Sequence, residues 1–251
     1  LLKKLRNKKL CKILHWDSNH FNLQIGRIFT FEPLDNSQFE KIDIWASTNQ
    51  IDCIYYLKRF DNKDNYTIEN KYGYKHIDNR IEMSKDLISI RGETQIYHSG
   101  YRILELNTKN IDQFDYELLK YFKETRFYKD NNFDKNKVES MYLKWMENHL
   151  YGECSKILIA IDKDKAIGFI TYEILDKCIG KIGLFAINPK YRGMGVGKSL
   201  LINCQETLVY DKKVKFLEVV TQQSNVSGMM FYEKNDFNIK RNYVWFHKWY
   251  Q

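Results

Sequence analysis

The chain has 251 residues, 43% of them hydrophobic and 15% aromatic, enough to build a sizeable core in one large domain or two small ones. No apolar run reaches the roughly 18 residues of a membrane span. Five cysteines (Cys11, Cys53, Cys154, Cys178, Cys204), odd in number and without a CxxC pair, argue against a disulfide framework or structural zinc and for a reducing, cytoplasmic setting.

The net charge of +8 is dispersed along the chain. It reads as a solvated basic surface or as attraction for an anionic substrate or cofactor, and no nucleic-acid motif accompanies it. The basic start, residues 1–11, is not followed by an apolar segment, so a secretory signal is not expected. Leu1 leaves the natural start unassigned. The histidines are scattered without ligand spacing, so no metal is expected.

In chain order, residues 12–14 and 26–29 read as strands. Ser37 is a candidate cap for a helix through about residue 47. Residues 51–57 read as a strand, 61–65 as a polar loop, and 68–72 as a short helix stopped by Gly73. Residues 74–83 alternate as a strand does. The polar stretch 85–100 reads as a linker between an N-terminal domain (1–95) and a C-terminal one (96–251). Residues 101–106 predict a strand. Ile111, Phe114, Leu118, Leu119 and Phe122 have helical spacing, and 127–133 reads as an aromatic-rich loop.

Asp134 can cap a helix to about residue 150, with the stripe Val138, Met141, Tyr142, Trp145, Met146 and Leu150, ended by Gly152. Residues 157–161 and 166–175 flank a hairpin turn. Residues 181–187 form a central strand, 216–220 another, 227–234 a short helix, and 242–249 an aromatic final strand that is a candidate homodimer interface. Residues 69–75 and 233–238 echo each other, each ending a short helix and entering a long strand. The echo hints that the N-terminal part is a reduced copy of the C-terminal fold.

The most informative stretch follows the central strand. Leu184 to Ile187 is apolar, Pro189 stops the ladder, and Gly193, Gly195 and Gly197 lead into a helix carrying Leu200, Leu201, Cys204 and Leu208. Backbone N–H groups at such a helix start have no intrahelical partner and favour an anion. Glycine lets the backbone approach a phosphate closely. Arg192 and Lys198 add full charge, so a phosphate or pyrophosphate is the expected ligand. A nucleotide P-loop needs glycine where Arg192 stands, and the dinucleotide fingerprint needs glycine near Ser199. Neither fits.

The pattern that fits, Arg192-x-x-Gly195-x-Gly197, resembles the coenzyme A pyrophosphate loop of the GNAT acyltransferase superfamily. Asn225 and Tyr232, seven apart after the next strand, match that superfamily's pantetheine-side Asn and its Tyr. Asn225 also reads as a helix cap, and Tyr232 as a half-buried tyrosine. Trp16-Asp17-Ser18 with Phe21, and Thr125-Arg126-Phe127-Tyr128 continued by Tyr142, Trp145, Asn148 and Gly152, resemble the dTDP-fucosamine acetyltransferase family. One departure is Gly228, where relatives often have Ala, which suggests a looser helix start.

The resemblance implies a GNAT fold: a mixed, mostly antiparallel sheet flanked by helices, with a smaller N-terminal α/β domain like a truncated GNAT half. It implies an acetyl-CoA-dependent N-acetyltransferase of a nucleotide-linked amino sugar. The cofactor residues would be Phe185, Ala186, Ile187, Arg192, Gly193, Met194, Gly195, Val196, Gly197, Lys198, Asn225 and Phe231. A backbone N–H near residues 185–187 would polarise the thioester carbonyl, and Tyr232 would protonate the departing thiolate. Asp17, Arg126 and Phe127 would meet the substrate, with a loop-fixing salt bridge the other reading of Arg126. The base is open between Glu173, Glu218 and a water chain. Competing readings are acetylation of another amine, such as a peptide N-terminus or an antibiotic, and a non-catalytic module binding acyl-CoA or nucleic acid.

Overall fold

The computed structural model describes residues 10–88, 100–152, 155–176, 178–212 and 214–250. Most of the expected linker, the boundary at 95/96, Cys154 and all but two residues of the basic start lie outside them.

The first half runs β1 (Cys11–Ile13), α1 (His15–Phe21), β2 (Ile25–Ile28), α2 (Asn36–Thr48), β3 (Cys53–Arg59), α3 (Thr67–Lys71) and β4 (Lys75–Asp86). The second half runs β5 (Arg102–Glu105), two short 3-10 helices, α4 (Arg126–Lys129), α5 (Lys135–Tyr151), β6 (Ser155–Asp162), β7 (Lys165–Asp176), β8 (Ile179–Ile187), α6 (Val196–Lys212), β9 (Phe216–Gln222), α7 (Val226–Glu233) and β10 (Asn238–Trp249).

The strands form one ten-stranded sheet in the order β1-β2-β3-β10-β4-β9-β8-β7-β6-β5. Among the described residues only β2–β3 and β8–β9 are parallel, each joined by a crossover helix (α2 or α6), as parallel neighbours require. The two halves therefore repeat one plan: strand, crossover helix, parallel strand, short helix, long strand. That is the structural content of the echo between 69–75 and 233–238. The two long strands are exchanged. β4 of the first half pairs with β9 of the second, and β10 of the second inserts between β3 and β4.

β3 is buried on both faces, which explains its unbroken apolar run. Cys53, Tyr55 and Leu57 join the core under α5, while Ile54 and Tyr56 join the core under α2. α6 and α7 cover the second half on the face opposite α5.

Four expectations are corrected. α2 is capped by Asp35, not Ser37: Asp35 Oδ1 accepts from the Gln38 N–H (2.8 Å) and Gln38 Oε1 accepts from the Asp35 N–H (2.9 Å), a reciprocal capping box. Residues 111–122 are two 3-10 helices, Ile111–Gln113 and Tyr116–Tyr121, because the Asp115 carboxylate caps a new turn at the Glu117 N–H. Part of the aromatic loop is helical, since Thr125 caps α4 at the Tyr128 N–H. Finally, Tyr243, Val244, Trp245, Phe246 and His247 of β10 are buried inside the sheet, so these aromatics fill the core and do not line an interface.

Candidate active site

β8 and β9 pair from Ile179↔Phe216 to Ile182↔Val219, and no further. β8 continues to Ile187 and β9 to Gln222, so the strands splay apart. The register of β8 against β7 also shifts between Ile182 and Phe185. At that irregularity the Leu184 N–H is taken by the Thr171 hydroxyl (2.7 Å), and the Asn188 N–H bonds to the Ile167 carbonyl (2.8 Å). Backbone groups alternate along a strand. The Phe185 and Ile187 N–H groups therefore point the other way, into the splay.

The splay opens into a cleft of about 1220 Å³. Its walls include Phe185, Ala186, Ile187, Arg192, Gly193, Gly195, Gly197, Lys198, Asn225, Phe231 and Tyr232. Two of the expected cofactor residues lie elsewhere: Met194 is exposed, and Val196 is buried in the core under α6. Six cations (Arg80, Lys123, Lys181, Arg192, Lys198, Lys234) face the cleft against two carboxylates, Glu124 and Glu173. That balance suits an anionic ligand.

The glycine loop is built for a close-lying ligand. Gly193 (φ +78°) and Gly195 (φ +84°) hold left-handed backbone, which only glycine adopts at little cost. A Cβ on Gly197 would press within 3.3 Å of the Phe231 ring. Arg192 Nε donates to the Ile187 carbonyl (3.3 Å), tying the loop to the strand end. The Tyr191 hydroxyl donates to Asp162 (2.8 Å), and Tyr101 and Ser199 share a hydroxyl bond (2.9 Å) that braces the start of α6.

Asn225 is the cap of α7: its Oδ1 accepts from the Gly228 N–H (3.1 Å) and its Nδ2 donates to the Thr221 hydroxyl (3.1 Å). A Cβ at position 228 would lie 2.4 Å from Asn225 Nδ2. Gly228 thus makes room for the cap and does not merely loosen the helix. Tyr232 lines the cleft from α7, packed among Phe185, Phe231 and Phe237. Burial, and then the nearby Cys204, push its phenol above the usual tyrosine range, so it stays protonated.

A second cavity of about 490 Å³ adjoins the cleft and shares Arg80, Thr125, Tyr142, Trp145 and Gln222 with it. Trp16, Asp17, Arg126, Phe127 and Trp245 complete its lining. The three expected substrate residues therefore meet there. The Arg126 guanidinium lies 3.9 Å from the Phe127 ring centre and 4.2 Å from those of Tyr55 and Trp245. Its Nη1 donates to His247 Nε2 (2.7 Å), and His247 Nδ1 donates to Asp130 Oδ2 (2.7 Å), which also accepts from Trp249 Nε1 (2.8 Å). Arg126 is thus held by a neutral imidazole, not by the salt bridge that was its other reading. Burial raises the Asp17 carboxyl, opposed by Arg126.

Three contributors escaped the sequence reading. Arg80 enters both cavities because β4 lies beside β9, pairing Arg80 with Gln222. Trp245 enters the second cavity from the exchanged β10. His149 lines the cleft from the last turn of α5, against Gly183, where a Cβ would sit 2.5 Å from its Nε2. Its position, seven residues after Tyr142 and four after Trp145, lies on the helix face that the stripe defines, which is the signal that marks it. Glu218, a candidate base, pairs instead with Lys240 and does not line the cleft.

Residues 117–237 match the acetyltransferase (GNAT) family model. No curated protein matches the chain. Among solved structures, a conserved protein of unknown function from Staphylococcus epidermidis ATCC 12228 superposes with a TM-score of 0.67 at 10% identity, over 91% of this chain and 85% of that one. A GCN5-related N-acetyltransferase from Sphaerobacter thermophilus gives 0.63 at 14% identity, over 95% and 76%. A tandem GNAT protein from the clavulanic acid biosynthesis pathway gives 0.59 at 13% identity, over 90% and 75%. The likeness to these structures is one of fold. The matched segment is a GNAT acetyltransferase domain, and its chemistry is acetyl-CoA-dependent N-acyl transfer. Among the described residues no cluster of His, Cys, Asp or Glu could hold a metal ion, and no helix is long and apolar enough to cross a membrane.

Proposed function

We propose that the protein acetylates the amino group of a nucleotide-linked amino-deoxy sugar. The observation that carries this reading is the second cavity. Arg126, clasped by three aromatic rings and donating to an uncharged imidazole, is a buried cation beside the acyl-transfer cleft, with Arg80 on the shared wall; burial lowers its pKa, while Tyr55 and Asp17 oppose that. Among the described residues no carboxylate forms an ion pair with Arg126. An anionic acceptor would supply the missing charge through bidentate hydrogen bonds, and the diphosphate of a nucleotide sugar has the required chemistry. Trp16 and Trp145 offer apolar rings to a sugar, and Asp17 offers an acceptor for its hydroxyl or ammonium group.

The residues divide the work in this reading. Gly193, Gly195, Gly197, Arg192 and Lys198 hold the pyrophosphate of acetyl-CoA, which supplies the acetyl group as a thioester. The Phe185 and Ile187 N–H groups polarise its carbonyl from the splayed strand, and Tyr232 hands its phenolic proton to the departing sulfur. The burial that holds that proton also raises the proton affinity of a thiolate beside it.

The test is thiol release from acetyl-CoA with a panel of dTDP- and UDP-linked amino sugars, for the wild type and for Arg126→Gln. Turnover with one sugar, with a KM raised about tenfold or more in Arg126→Gln, is the expected result. Turnover only with uncharged amines would refute the sugar reading and leave the acyl-transfer class standing.

A further inference from the structure

We infer that His149 is the proton acceptor for the incoming amine, a position left open between Glu173, Glu218 and water by the sequence. The inference rests on the acetyl-transfer chemistry of the cleft and not on the sugar reading.

His149 stands where the reaction needs a base. The gap between β8 and β9 passes through the sheet. Tyr232 reaches it from the α6/α7 face, as part of the core that holds Ile182, Leu200 and Val219. His149 reaches it from α5, whose residues pack on the opposite face with Leu184 and Ala186. A proton donor and a proton acceptor thus flank the splayed strand from opposite sides. The Phe185 and Ile187 N–H groups lie between them.

The approach of His149 to the strand is specific. Gly183 is the residue beneath it, and any side chain there would collide with the ring and with Thr171 Oγ1, at 2.5 and 2.7 Å from the added Cβ. His149 Nδ1 is buried and has no hydrogen-bond partner among the described residues. A buried imidazole nitrogen without a partner is costly, so this nitrogen is the ring atom left for a ligand proton.

The electrostatics agree. Burial lowers the imidazole below its ordinary range, Glu173 on β7 opposes that, and Lys181 on β8 adds to it. Those two residues are themselves paired at 3.7 Å, so their effects largely cancel at the ring. His149 is neutral near pH 7 and has a lone pair to use.

The step balances without a further reactant. The substrate ammonium gives one proton to His149, and the amine lone pair forms the C–N bond to the acetyl carbon. As the C–S bond breaks, Tyr232 protonates the sulfur. The second proton leaving the nitrogen restores the tyrosine, and His149 returns its own to solvent. One proton is released per acetyl group transferred.

The experiment compares wild type, His149→Gln and His149→Ala on any amine that the wild type accepts, from amino sugars to alkylamines and peptides. Failure of the sugar reading therefore leaves this test intact. We expect kcat to fall about 100-fold in both variants, with the KM for acetyl-CoA within twofold and with partial rescue of His149→Ala by added imidazole. A second readout needs no turnover. In protein labelled with 13C-histidine, the resonance missing from His149→Gln should titrate below free imidazole and move when CoA is added. A kcat within threefold of wild type in His149→Gln, a loss without imidazole rescue, or a resonance indifferent to CoA would each overturn the assignment. So would a wild type inert to every amine.

Discussion

Arg126 Nη1 lies 2.7 Å from His247 Nε2, across 121 residues of sequence, and the imidazole passes the contact on to Asp130 through Nδ1. One ring therefore separates a buried cation from a buried anion. Burial, aided by Arg126, lowers His247 to about 4 against the pull of Asp130. Asp130 is held at about 2, because His247, Trp249 and the Asn132 N–H outweigh its burial. At neutral pH the chain of charge is plus, neutral, minus.

Acid should dismantle this arrangement before it touches ordinary carboxylates. The folded pKa of His247 is below the unfolded value of about 6.5, so its contribution is complete above that pH and is lost as pH falls towards 4. The loss is on the order of 3 kcal/mol. Asp130 adds a further loss between its ordinary value and about 2. Thermal melts from pH 7 to 4 should show a falling midpoint. In His247→Gln, less stable at pH 7, that part of the pH dependence should be absent.

Tyr232→Phe keeps the ring that packs on Phe185 and Phe237 and removes only the phenolic proton. kcat should fall by tenfold or more, with acetyl-CoA affinity and melting temperature unchanged. Calorimetric titration with CoA beside steady-state rates separates the two effects. Equal rates would remove the tyrosine from the acid role.

Gly195→Ala forces a side chain onto left-handed backbone at φ +84°. The strain is about 1–2 kcal/mol, and it falls on the loop proposed to hold the pyrophosphate. Binding of CoA should weaken about tenfold, while the midpoint of unfolding moves by only a few degrees.

Lys58 is buried with Glu69 at 2.6 Å and with Asp64 beside it. Burial works against its charge, but the two carboxylates outweigh it and raise its pKa. Glu69→Gln should cost about 3 kcal/mol, because it leaves a buried cation short of one partner. The double variant Lys58→Met/Glu69→Leu should cost less than the single one. Denaturant melts of the three proteins test this.

The residues proposed for acyl transfer could be read together because their elements are local. Arg192 to Lys198 combines positive-φ glycines, a helix start and two cations within seven residues, and Asn225 caps the short helix that carries Tyr232. What stayed hidden depends on distant pairing. Arg80 looks like any arginine in an alternating strand until β4 is seen against β9. His149 looks like a polar interruption near a helix end until Gly183 is seen under it. The fate of the 242–249 strand was misread for the same reason, since an aromatic strand suits an interface or a doubly covered interior equally well. Local chemistry also misled on a smaller scale: Ser37 is a good cap, but Asp35 with Gln38 is a better one.

The exchange of β4 and β10 also sets an order of events during synthesis. β10 is made after every other strand described here, yet its place is in the middle of the sheet, between β3 and β4. Until it emerges, the nascent first half carries two open edges, β3 and β4, and β3 is apolar from Cys53 to Leu57. Such edges invite pairing with other chains. The protein can close its sheet only after its last strand is free of the ribosome. A chain stopped at Glu233 should accumulate as aggregate and not as a stable acetyl-CoA-binding fragment.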